Sequence, residues 1–225
     1  MAHPDDVDFG SAGTMASLSK QGVQITYCLV TDGDAGGSDR EMPRAEMAAV
    51  RRREQTDAAA AVGVTDLVFL GYPDGRVEPT LNLRRDLSRV IREVRPQAVL
   101  TQSPERNLDR IFASHPDHLA AGEAAMCAVY PDSQNPFAHP ELLEAGLEPW
   151  KVREIWLSGH AAPTDAVDVT EFIDVKFEAL LAHASQHPDP VGMRGRVTEW
   201  MRGTAKAMDM PAGTLAEAYR VVQAG

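Results

Sequence analysis

Cysteine is scarce in this chain: two of its 225 residues, Cys28 and Cys127. That excludes a disulfide framework and a Cys-rich zinc site, and it fits a cytoplasmic protein. Basic side chains are in deficit, 22 against 33 acidic, for a formal net charge of −11. A protein that grips nucleic acid or anionic lipid by bulk charge needs the opposite sign. No apolar run approaches the ~18 residues that span a bilayer. The opening Met1-Ala2-His3-Pro4-Asp5-Asp6 has none of the basic and then apolar character of a signal peptide. Aromatic residues make up only 6%, yet 44% of the chain is hydrophobic, enough for a real core in one domain over 1–225. With thiols so few, any metal site must be built from histidine and carboxylate.

Histidine is where the sequence becomes unusual. Seven are present, and four precede proline: His3, His115, His139 and His187. Proline pushes the residue before it into extended conformations, so these sites are expected at strand ends or turns. Three read His-Pro-Asp, and two of those carry an extra ligand type: His3-Pro4-Asp5-Asp6 and His115-Pro116-Asp117-His118.

Hydrophobic patterning predicts strands over 23–30, 67–70, 98–101 and 154–157. Helices are expected over 10–21, 42–62, 83–94, 115–129, 175–185, 197–208 and 215–221. Such alternation is the signature of an α/β fold with a mostly parallel sheet and helices on both faces. Ligands in such folds bind beyond the carboxyl ends of the strands, where the loops at Asp32, Asp74 and Ser103 to Ser114 fall.

The two His-Pro-Asp sites together hold the parts of a hydrolytic metal centre. Such a zinc site takes three protein ligands and leaves a position for water; His3, Asp6 and His118 supply three. His115 and His118 share one helix face by their spacing. Asp5 beside the metal is placed to take a proton from water, His115 to stabilise an oxyanion, and Asp117 to fix the tautomer of a neighbouring histidine. A lone His-Pro-Asp is usually only a capped turn. The His187 copy lacks the extra ligand and is expected to end a helix, while His139-Pro140 reads as a solvated loop. Arg51-Arg52-Arg53 reads as a solvated helix face partnered by Glu54. No Gly-x-Ser-x-Gly elbow, phosphate loop or dinucleotide fingerprint is present.

The motifs resemble the LmbE-like, or PIG-L, family of zinc-dependent N-acetylglucosaminyl deacetylases and amidases. The resemblance rests on Ala2 to Asp6 with Phe9-Gly10 and Ala12-Gly13-Thr14, Val30 to Gly36, Arg51 to Val64, Leu70 to Gly75, Ser114 to His118, His183 to Gln186 and Ala216 to Arg220. It implies a Rossmann-like sandwich, with His3, Asp6 and His118 holding one Zn2+, Asp5 as general base, His115 as transition-state imidazole, and Arg51 (or Arg52) contacting substrate. Three departures stand out. Only Met1 and Ala2 precede His3, so a first strand is missing or trimmed off; Val7-Asp8 replaces an acidic pair; Ala113 stands where some members carry tyrosine.

The reaction so implied is removal of an acyl group, acetyl in the first instance, from the amide nitrogen of a glucosamine-containing small molecule. Two readings stay open beside it: an amidase cleaving a mycothiol-type thiol-cofactor conjugate, and a non-catalytic binding protein of the same fold. A homo-oligomer is left open too.

Overall fold

The computed structural model describes residues 1–37, 39–111, 114–187 and 189–225. In chain order the elements are α1 (Asp6–Lys20), β1 (Thr26–Thr31), α2 (Arg44–Ala61), β2 (Asp66–Tyr72), α3 (Leu81–Val94), β3 (Ala98–Gln102), α4 (Pro116–Val129), α5 (Pro140–Glu144), β4 (Glu154–Ser158), β5 (Asp165–Asp168), α6 (Ile173–Ala182), α7 (Pro190–Ala207) and β6 (Ala216–Gln223). Two compact units divide them: one formed by Met1–Ala2, Gly75–Thr164 and Tyr219–Gly225, the other by His3–Asp74 and Asp165–Ala218.

In the His3–Asp74 unit, β1 and β2 pair in parallel, Thr26 opposite Asp66. Helices α1 and α2 pack on α6. Phe177, Leu180, Met193, Val197 and Met201 close a core with Val169 and Leu215. Gly13 is required in α1, because an added Cβ would come within 2.7 Å of Val169 Cβ.

In the other unit, β3 and β4 run parallel, Ala98 opposite Glu154, and β6 joins β4 antiparallel, Glu154 opposite Gln223. Helix α3 buries Leu83, Leu87, Val90 and Ile91 on one stripe, as their spacing dictates. It packs on α4, whose buried face is alanine: Ala120, Ala121, Ala124, Ala125 and Ala128. Such small side chains let α4 sit close to β3.

The α/β class holds, with helices flanking sheets of parallel and mixed strands. The differences are local. Residues 215–221 are not a helix: 216–221 belong to β6, where pairing with β5 and, from Tyr219 onward, with β4 overrides helical propensity. The short β5, Asp-Ala-Val-Asp, lacks the apolar run that reveals a strand. Helix α7 begins at Pro190 rather than near 197, because Asp189 caps it by accepting the Gly192 N–H at 2.9 Å. The segment at His187 and Asp189 therefore opens a helix instead of ending one. Ala113 lies outside the described residues.

Candidate active site

Pro4 directs the loop from His3 into α1, and Asp5 is the N-cap residue with φ +88°. Non-glycine residues in that region store ~1–3 kcal/mol and persist only when surrounding contacts impose them. The imposing contacts are visible. The Asp5 N–H donates to Gln55 Oε1 at 2.9 Å, the Arg51 guanidinium reaches Asp5 Oδ2 at 2.9 Å, and it also donates to the carbonyls of Pro4 and Gly33. The Asp5 carbonyl accepts the N–H groups of Asp8 and Phe9, so the strained residue starts the helix.

His3 is 8% exposed and lies between carboxylates. Its Nδ1 is 3.3 Å from Asp6 Oδ2 and its Nε2 3.1 Å from Asp74 Oδ1, while its N–H donates to Asp6 Oδ2 at 2.7 Å. Burial opposes charge on the ring, but the hydrogen bonds and charges of Asp6 and Asp74 prevail and push its pKa up to about 10. Burial acts the other way on Asp74, yet His3 and the Ala35 N–H hold its carboxyl below the usual range. Burial, reinforced by the Asp6 charge, pushes Asp5 up to about 7 against the pull of Arg51. Carboxylates around an imidazole form a donor set that suits Zn2+ and related ions, a bound cation taking the place of the ring proton.

The second motif is built by the start of α4. His115 is its N-cap residue and accepts the Asp117 N–H on Nδ1 at 3.2 Å. In the neutral ring the proton therefore sits on Nε2. Pro116 occupies the first helical turn, where no N–H is needed. The His115 and His118 rings lie 5.2 Å apart, as the i, i+3 spacing predicts. Asp117 is buried and accepts the N–H groups of Gly75 at 2.7 Å and Val77 at 3.2 Å.

Among the expected residues, His3, Asp5, Asp6 and Arg51 come together in one unit and His115, Asp117 and His118 in the other. The arginine run is not a solvated face at Arg51, which is 4% exposed. Arg52 is more open and pairs with Asp32 at 2.7 Å. Glu54 is held by the Ser185 N–H and hydroxyl, both at 2.7 Å. His139 is not solvated either: it stands at the N-cap position of α5, with its Nε2 3.4 Å from Asp132. Asp74 was missed as a partner of His3; its Pro-Asp-Gly turn offered the signal of a strand-end loop but not of an imidazole partner.

An α/β fold whose strand-end loops carry imidazoles and carboxylates is a frame that can support metal-assisted hydrolysis. The sequence model of the PIG-L family, described as GlcNAc-PI de-N-acetylase, matches residues 1–129, and the chain belongs to that family. It is 32% identical to the diacetylchitobiose deacetylase of Thermococcus kodakarensis, across 84% of this chain and 69% of that protein. It is 33% identical to the probable N-acetyl-alpha-D-glucosaminyl L-malate deacetylase 2 of Bacillus cereus, across 82% and 80%. The structure of N,N'-diacetylchitobiose deacetylase from Pyrococcus horikoshii, in complex with its inhibitor MPG, superposes with a TM-score of 0.90 at 30% identity, covering 99% of this chain and 81% of that one.

Proposed function

We propose that the chain is a metal-dependent amide hydrolase that removes acetyl from the nitrogen of a glucosamine-containing small molecule, using one Zn2+ held by His3, Asp6 and His118. The observation that carries this reading is the His3 loop: an imidazole with a carboxylate near each nitrogen, and beside it a strained Asp5 gripped by a buried arginine. The similar proteins named above are deacetylases of N-acetylated sugars, which supports the same chemistry here.

His3, Asp6 and His118 would hold a divalent ion, which would supply a Lewis acid to acidify water and polarise an amide carbonyl. The chain's own residues do the rest. Asp5 takes the proton of the attacking water and returns it to the departing amine. His115, with Nδ1 engaged by the helix, presents the Nε2 proton to the developing oxyanion. Asp117 anchors the turn after Asp74 and steadies His115 through its own N–H. Arg51 fixes the direction of Asp5 and is the side chain proposed to meet substrate beside it.

The test is product analysis on a panel of N-acetylglucosamine conjugates. Equimolar acetate and free amine are expected. Amine without acetate from a thiol conjugate would favour the amidase reading, and no turnover of any conjugate by metal-loaded protein would favour a binding protein.

A further inference from the structure

A buried polar chain reaches the Asp5 loop from behind. His183 and Asp8 are both fully buried, with His183 Nε2 2.8 Å from Asp8 Oδ2. The same oxygen accepts Gln55 Nε2 at 2.9 Å, and Gln55, also fully buried, accepts the Asp5 N–H on Oε1 at 2.9 Å. The amide orientation is forced, because a backbone N–H can only donate and a carboxylate can only accept. A reversed amide would leave both neighbours unsatisfied in the interior, at ~1–3 kcal/mol each.

From this geometry we infer that Gln55 is a positioning residue for the reaction proposed above, relaying the anchored Asp8–His183 pair to the backbone of Asp5. The contact falls on the N–H of the one residue in the loop with positive φ. Arg51 grips the carboxylate end of Asp5 and Gln55 the backbone end, so the two together fix the direction in which the carboxylate points. Within this chain the side chains of Asp8 and His183 act by fixing the Gln55 amide, while the Asp8 backbone N–H donates separately to the Asp5 carbonyl. The α6 end that carries His183 and the middle of α2 are thereby tied to the start of α1.

The inference rests on the deacetylase reading, and the experiment separates the two. Acetate release, metal content and thermal melting are measured on the full chain for wild type, Gln55→Met, Gln55→Glu and the double variant Asp8→Asn/Gln55→Glu. Gln55→Met keeps the volume and removes both hydrogen bonds. It is expected to lower kcat roughly tenfold to a hundredfold, with KM and metal per chain within twofold of wild type, since misplacement of a catalytic group by about 1 Å costs that much. Gln55→Glu sets a second carboxylate against Asp8 and loses at least as much. In the double variant the donor and acceptor change places between positions 8 and 55, the side chain at 55 still accepts the Asp5 N–H, and His183 keeps its contact with position 8 by accepting at Nε2 in its other tautomer. Recovery of at least tenfold in kcat over Gln55→Glu is expected. Wild-type kcat in Gln55→Met, with only a lowered melting temperature, would overturn the inference and make Gln55 a scaffold residue. If Gln55→Met does not fold, the Gln55→Glu pair decides: recovery in the double variant supports the relay and no recovery overturns it. A wild-type protein that releases no acetate would instead overturn the deacetylase reading.

Discussion

At the scale of single residues, the account separates holding a metal from moving a proton. His118 and Asp5 are assigned those different tasks, so their alanine variants should differ in kind. His118→Ala should lose bound metal, read by elemental analysis of the purified protein. Asp5→Ala should keep metal and lose turnover by roughly 10²–10⁴-fold, the usual range for a general acid–base group. Metal loss in Asp5→Ala with His118→Ala unaffected would reverse the roles. The buried pair of Lys176 and Glu217 makes a separate, structural prediction. Lys176 Nζ lies 2.7 Å from Glu217 Oε1, both fully buried, and Glu217 also accepts the N–H groups of Gly13 and Thr14. Lys176→Met should cost about 3–5 kcal/mol, because it strands a carboxylate in the interior; denaturant unfolding measures it. A loss under 1 kcal/mol would mean that water or a proton replaces the lysine at little cost.

At the scale of elements, the helix that carries the second histidine pair owes its position to a small residue. Gly122 lies four residues after His118 on the same face of α4, and a Cβ there would meet the Gln102 carbonyl oxygen of β3 at 2.3 Å. That neighbour is backbone and cannot rotate away. Gly122→Ala should therefore push α4 off β3, destabilise the fold by about 1–3 kcal/mol and weaken metal binding together with stability, which calorimetry and a metal titration would show. Unchanged melting would mean that the helix slides without cost. Elements are legible in the sequence where one period dominates: of the α3 stripe expected from Leu87, Val90, Ile91 and Val94, the first three are buried and only Val94, at the helix end, is exposed, and α4 starts at His115 as expected. They were hidden where long-range pairing outweighed local preference. Leu215 to Val221 has helix-forming composition, yet Tyr219 is buried in a strand opposite Ser158. The site divides the same way. The residues of the two His-Pro-Asp motifs were visible as motifs, whereas Asp74, Gln55 and His183 are joined to them only by folding, and no spacing in the sequence announces a contact 50 or 175 residues away.

At the scale of the whole molecule, no helix among the described residues is long and apolar enough to cross a membrane. A metal that binds only the folded chain must also stabilise it, by about 2.7 kcal/mol at a free concentration one hundred times Kd. Chelation should lower the melting temperature and zinc should restore it; identical melting with and without metal would show that no ion belongs to the native fold. The most direct measurement of the central claim is a titration of chelated protein with zinc while acetate release from an N-acetylglucosamine conjugate is followed. The account predicts activity that is absent at first, rises linearly and saturates at one equivalent per chain. Full activity in the chelated protein, or no acetate at any zinc level, would contradict it.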